Sequence, residues 1–262
     1  MRKLLPGSVV IAAFAMTGMS AAHAAGPVYN WAGWYGGFNG GWEWSQNAGG
    51  DLSGDNLPSG FQRSIAAGFF PGRIGVNYSG FTGGAQGGYN WQWGALVLGI
   101  EEDVNHANFR GSSTVPPLIP LGVNGPASFT LSQSIDWFAT ARGRLGVTPT
   151  DRLLLYVTGG LALGDVKTEY IVPSAPAGLP LGIFNGANSE TKAGWTAGGG
   201  AEYALENHWS AKLEYLYYDL GSSSVRADPS GLKTFAFFGL ADAQYRGSVL
   251  RGGINYRFDW GN

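Results

Sequence analysis

Trp34-Tyr35-Gly36-Gly37-Phe38-Asn39-Gly40-Gly41-Trp42-Glu43-Trp44 alternates with a period of two. Trp34, Phe38, Trp42 and Trp44 fall on one face with Gly36 and Gly40, and Tyr35, Asn39 and Glu43 fall on the other. Successive side chains of a β-strand point to opposite faces, so this spacing predicts a strand with one apolar and one polar side. The pattern returns at 81–93, where Phe81, Ala85, Tyr89, Trp91 and Trp93 oppose Thr82, Gln86, Asn90 and Gln92. A soluble sandwich would alternate too, but would rarely gather tryptophan and tyrosine near strand ends on the apolar face. Aromatic girdles at two bilayer interfaces account for that placement.

Six further segments carry the alternation. Leu96, Leu98 and Ile100 oppose Val97, Glu101 and Asp103. Trp137, Ala139, Ala141 and Leu145 oppose Asp136, Phe138, Thr140, Arg142 and Arg144. Leu153, Leu155, Val157, Leu161 and Leu163 oppose Leu154, Tyr156, Thr158 and Ala162, and Ala193, Trp195, Ala197, Ala201 and Tyr203 oppose Lys192, Thr196 and Glu202. Trp209, Ala211, Leu213, Tyr215 and Tyr217 oppose Lys212, Glu214 and Leu216, and Leu250, Ile254, Tyr256 and Phe258 oppose Arg251, Asn255 and Arg257. The connections alternate in length. Tight turns are expected near Gly94, at Thr148–Asp151 and at Glu206–His208, and long loops of about 25 to 35 residues at 45–80, 105–134, 165–191 and 219–243, more than compact domains usually hold. The prediction is an all-β fold: an eight-stranded antiparallel up-and-down transmembrane barrel with short periplasmic turns, four long outer loops and both termini in the periplasm.

Composition narrows the class in the same direction. Glycine supplies 44 of 262 residues, which argues against helices, and charged residues make up 13%, about half the usual share of roughly 25%. The hydrophobic fraction of 44% is too high for disorder. With no cysteine, disulfides and thiolate chemistry are excluded, and a net charge of −2 gives no basic surface for nucleic acid. Residues 1–24 read as a secretory leader: Arg2 and Lys3, an apolar core from Val9 to Met16, and an Ala22-His23-Ala24 site cut between Ala24 and Ala25. The barrel domain is then 25–262. Its long uncharged stretches are broken by Pro116, Pro117, Pro120, Pro126, Pro173, Pro176 and Pro180, so no helix is expected to cross a membrane. A closed barrel remains as the way to span one.

In this register the strand charges gather on the face opposite the aromatic residues. Glu43, Glu101, Asp103, Asp136, Glu202 and Glu214 balance Arg142, Arg144, Lys192, Lys212, Arg251 and Arg257, and all twelve are expected to pair inside the barrel, with Gly84, Gly88 and Gly198 leaving room. An eight-stranded barrel is just wide enough to be filled by its side chains, so the cluster reads as a polar plug; a gated narrow conduit and a catalytic carboxylate site are the alternatives. Glu102 breaks the register and is expected at the interface, beyond the hydrocarbon. The outward aromatic girdle is assigned to Trp34, Trp42, Trp44, Tyr89, Trp91, Trp93, Trp137, Tyr203, Trp209, Tyr215 and Tyr217.

The stretches Tyr29–Tyr35, Trp137–Gly146, Leu154–Ala162, Trp209–Gly221 and Val249–Phe258 resemble the small outer-membrane β-barrel family. The likeness is to its outer-membrane immunogenic, porin-like branch, similar in architecture to the OmpA transmembrane domain. The resemblance implies a Gram-negative outer membrane, display of surface loops, and insertion by the barrel-assembly machinery. That machinery would read Ile254, Tyr256, Phe258 and Trp260, although the chain runs on through Gly261 and Asn262. No cofactor or metal site is expected. The leading expectation is a non-enzymatic envelope protein among outer-membrane lipids. Arg63, Arg73, Arg110, Lys167, Arg226 and Lys233 are candidates to meet lipopolysaccharide phosphates. A narrow porin is the second reading. A lipid-modifying enzyme is the third, weakened because the two histidines beyond the leader, His106 and His208, are expected on opposite sides of the bilayer.

Overall fold

The computed structural model describes residues 29–45, 48–53, 72–116, 128–172, 184–206, 208–229 and 238–259. The proposed leader, with Ala24 and Ala25, and Trp260 lie outside them.

Ten strands follow in order: β1 (Gly33–Trp44), β2 (Ala48–Ser53), β3 (Arg73–Val76), β4 (Ser79–Trp93), β5 (Leu96–Val115), β6 (Phe129–Thr150), β7 (Leu153–Val172), β8 (Phe184–Ala204), β9 (Trp209–Pro229) and β10 (Phe238–Arg257). Neighbours β1, β4, β5, β6, β7, β8, β9 and β10 pair antiparallel, and β10 pairs back onto β1, so eight strands close a barrel. The short β2 and β3 pair with each other and extend the first hairpin along β10. At one end, hereafter the turn end, three tight connections join β4 to β5, β6 to β7 and β8 to β9. The first is made at Gly94, whose φ of 58° suits a residue without a β-carbon, and the last ends on His208 at φ 69°.

Along each strand the burial pattern has a period of two, and it fixes sidedness. Trp34, Phe38, Trp42, Leu98, Ile100, Leu145, Val157, Leu161, Leu213 and Leu250 are exposed on the outer wall. On β7 this apolar stretch runs from Leu153 to Leu163; ten residue steps at roughly 3.3 Å and a tilt near 40° give a band about 25 Å tall.

The strands continue well past that band, into stretches expected to be long loops. β5 reaches Val115, β6 begins at Phe129, β7 ends at Val172 and β9 at Pro229. In this far half the polarity is reversed. Asn108, Arg110, Ser112, Thr130, Ser132, Ser134, Lys167 and Glu169 face out, and Ile74, Tyr78, Phe109, Phe129, Leu131, Ile135, Val166, Tyr170 and Tyr245 form a buried apolar core inside. The Tyr245 hydroxyl crosses from β10 to donate to the Lys167 carbonyl of β7 at 2.7 Å. The ladder between β8 and β9 lapses between Asn185 and Trp195, where Asn188 and Glu190 of β8 bond the Ser223 hydroxyl of β9 instead.

Candidate functional site

The lumen of the band half is crossed by one ion-pair network. Glu101 and Asp103 project from β5, Arg142 and Arg144 from β6, Glu202 from β8, Lys212 and Glu214 from β9 and Arg251 from β10, and all eight are buried. Their mutual neutralisation follows from the alternation of each strand, which turns every one of these residues inward. Arg142 reaches three acids: Glu101 at 2.5 Å, Asp103 at 3.0 Å and Glu214 at 3.0 Å. Lys212 reaches across from β9 to Glu101 at 2.8 Å, Arg251 meets Glu214 at 2.6 Å and Asp103 at 2.8 Å, and Arg144 meets Glu202 at 3.1 Å. In the ring β5 and β9 stand opposite each other, so the Lys212–Glu101 pair spans the bore.

Neutral side chains complete the network, and sequence reasoning did not single them out. Tyr35 and Tyr156 donate to Glu101 and Glu214 at 2.8 and 2.9 Å, Thr140 donates to Asp103 at 2.6 Å, and Ser210 and Asn255 donate to Glu202 at 2.6 and 2.8 Å. All five sit on the inward parity of their strands, which was the signal available. Glycine makes the space: a β-carbon at Gly88 would strike the Tyr35 ring, and one at Gly200 the Tyr156 ring. A buried charge left without a partner costs several kcal/mol, so this density of pairs and donors is what lets the charges remain inside.

Four of the twelve charges assigned to the interior cluster stand apart from it. Asp136 is on the outer wall, between Arg110 at 3.3 Å and Lys167 at 2.5 Å. The pairing of β6 with β7 shifts between Ile135 and Phe138, which both point inward, so Asp136 and Trp137 both face outward and Asp136 leaves the face its strand alternation assigned it. Lys192 lies beyond the network, 3.3 Å from Glu190, where β8 has left β9. Arg257 sits at the turn-end mouth over the Tyr29 ring and pairs with Asp259 at 2.7 Å. Glu43 is fully buried and makes no ion pair among the described residues. The Tyr218 hydroxyl donates to its Oε1 at 2.9 Å, while Arg251, two residues along β10 from its register partner Val249, is taken up by Asp103 and Glu214.

On the outer wall the aromatic residues form two rings. Trp34, Tyr89, Trp91, Trp93, Tyr203, Trp209, Tyr256 and Phe258 lie toward the turn end, with edge contacts such as Tyr89–Trp91 at 4.8 Å and Trp209–Tyr256 at 5.1 Å. Trp42, Trp44, Trp137, Tyr215 and Tyr217 lie at the far edge of the band, joined by Trp195, which packs on Tyr217 at 5.4 Å. Ile254, Tyr256 and Phe258 face outward at the end of β10. Glu102 corrects the expectation that it lies beyond the hydrocarbon: it is exposed between Ile100 and Val104, opposite Gly87 and Ala141, within the apolar band. His106 pairs with Trp137 at the far edge of the band and His208 is in a turn at the other end, so they do not meet. Among the cations considered for lipopolysaccharide, Arg73 pairs with Asp51 at 3.0 Å and Arg110 and Lys167 share Asp136. Arg63, Lys233 and the Arg226 side chain lie outside the described residues.

The chain is 37% identical to the 31 kDa outer-membrane immunogenic protein of Brucella melitensis biotype 1, over 95% of this chain and 97% of that one, and to its counterpart in Brucella suis biovar 1 at the same level. A 22 kDa outer membrane protein of Rhizobium leguminosarum bv. viciae is 28% identical over 53% of this chain and 52% of its own. Among solved structures, the outer membrane protein OprG of Pseudomonas aeruginosa covers 87% of this chain and 97% of its own, at 15% identity and a TM-score of 0.47. The model of the outer membrane protein beta-barrel domain matches residues 11–258, nearly the whole chain, and the protein belongs to that family of Gram-negative outer-membrane barrels.

Proposed function

We propose that this outer-membrane protein is a closed, non-enzymatic barrel that braces the envelope and holds its far half at the cell surface, with a lumen sealed to ions. The observation that carries the reading is the bridge from Lys212 of β9 to Glu101 of β5, embedded in a network whose charges balance and whose side chains are almost wholly buried. Eight strands enclose little more than the volume of their own inward side chains, and here those side chains reach each other across the full bore. The apolar core of the far half lies in series with the network as a second seal. The separation of His106 from His208 supports a non-enzymatic role.

The two described chain ends support a periplasmic turn end. The Tyr29 hydroxyl donates to the His208 carbonyl and the Phe258 amide to the Trp34 carbonyl, so both ends lie beside the tight turns, the side that faces the periplasm in bacterial barrels. In this orientation the aromatic rings flank the hydrocarbon, and the partners are membrane lipids. The test is electrical. Purified barrel in planar bilayers gives no steady conductance steps above the leak; reproducible ion-selective steps would overturn the sealed reading in favour of a narrow porin.

A further inference from the structure

Glu102 is, among the described residues, the only charged side chain on the outer wall between the two aromatic rings. Its outward neighbours on β5 are Ile100 and Val104, 50% and 65% exposed. Ile100 is level with Tyr89 of the turn-end ring, and His106, two outward steps beyond Glu102, is level with Trp137 of the other. Each outward step rises about 5 Å, so the carboxyl group sits about 5 Å inside one ring and about 10 Å inside the other. It has no hydrogen-bond or ion-pair partner among the described residues. An ionisable group at that depth is costly and marks a functional position by default.

The wall around it is hollow. A groove of about 510 Å³ runs between β1, β4 and β5, floored by Ala85 and Gly87 and walled by Trp34, Ile100 and Val104, with Glu102 opening into it. That volume is in the range of small-molecule sites. Acyl chains could fill the groove but offer nothing to the carboxylate. Among the described residues a second copy of this chain in the same orientation presents no cation on its outer wall at this depth, so it offers Glu102 no counter-charge. A cationic group satisfies the carboxylate, and the Trp34 ring that lines the same groove offers an aromatic face to it.

We propose that the groove binds an apolar molecule carrying one amine, with the ammonium against Glu102 and the hydrocarbon along Ala85 and Gly87. The probe is dodecylamine, with dodecanol as its uncharged counterpart, offered to the full barrel in detergent micelles and read by native mass spectrometry. Wild type retains one dodecylamine per barrel and little dodecanol. Glu102→Leu, which suits the apolar wall and leaves the heat-dependent gel mobility of the folded barrel unchanged, lowers amine retention at least about tenfold. Leu145→Glu places a carboxylate on the outer wall between Leu98 and Val157, away from the groove, and in the Glu102→Leu background does not restore retention. Equal retention of dodecanol, undiminished retention in Glu102→Leu, or full rescue by Leu145→Glu would each overturn the site, the last by showing that any wall carboxylate collects amines.

Discussion

Toward the turn end the wall carries leucine, valine and tryptophan on its outside and arginine, lysine and glutamate on its inside; toward the far end it carries serine, threonine and charge outside and phenylalanine, tyrosine and isoleucine inside. The strands are continuous through the change. On β7 the outward series runs Leu161, Leu163, Asp165, Lys167, Glu169, while the inward one runs Gly160, Ala162, Gly164, Val166, Thr168, Tyr170. One backbone thus serves two solvents. Hydrocarbon around the lower half rewards an apolar exterior and forces charge inward, where it must be paired. Water around the upper half rewards the ordinary arrangement, in which apolar burial stabilises the fold. The reversal marks the far edge of the band more sharply than any single aromatic residue.

Four substitutions test that contrast. Arg142→Met removes a cation held within 3.0 Å of Glu101, Asp103 and Glu214 together. It is expected to cost about 3–5 kcal/mol, as for a buried charge network deprived of a partner, read from the urea midpoint of folding into lipid vesicles. A loss under about 1 kcal/mol would mean that water already screens the lumen. Next, one new arginine is placed on the outer wall of each half. Val157→Arg, within the apolar band, should cost about 2–4 kcal/mol, and Ser189→Arg, beyond it, should stay within about 0.5 kcal/mol. Equal costs would erase the proposed boundary. Asp136→Asn, which weakens the contacts to Arg110 and Lys167, should cost less than either change in the band half, under about 1 kcal/mol and less again in high salt.

The ring of eight and its sidedness were legible because alternation is a strictly local signal. Trp34 to Trp44 already state which face is apolar, and each later strand repeats the statement. The same signal hid the far half. Phe129, Leu131, Gln133 and Ile135 alternate with Thr130, Ser132 and Ser134, but there the apolar members point inward, and no residue by itself announces that the surrounding medium has changed. A single register carried through Asp136 therefore assigned it to the wrong face, since the shift at Ile135–Phe138 depends on pairing with β7. The central ion network was readable as a balanced set of inward charges. Which charges meet was not, because partners such as Lys212 and Glu101 are brought together by the closure of the ring, far apart in sequence. Glu43 shows the limit: inward parity is visible in its strand, but that the inward Arg251 of β10 serves Asp103 and Glu214 instead is decided by the closed ring.

The pairing of Tyr35–Trp44 with Ser248–Arg257 has a consequence for how the protein can be made. β1 leaves the ribosome before β10, and until β10 is translated the cylinder has two raw borders and no inside. A chain stopped short of β10 cannot close the ring, so the cell must keep a greasy, unfinished chain in solution between synthesis and insertion.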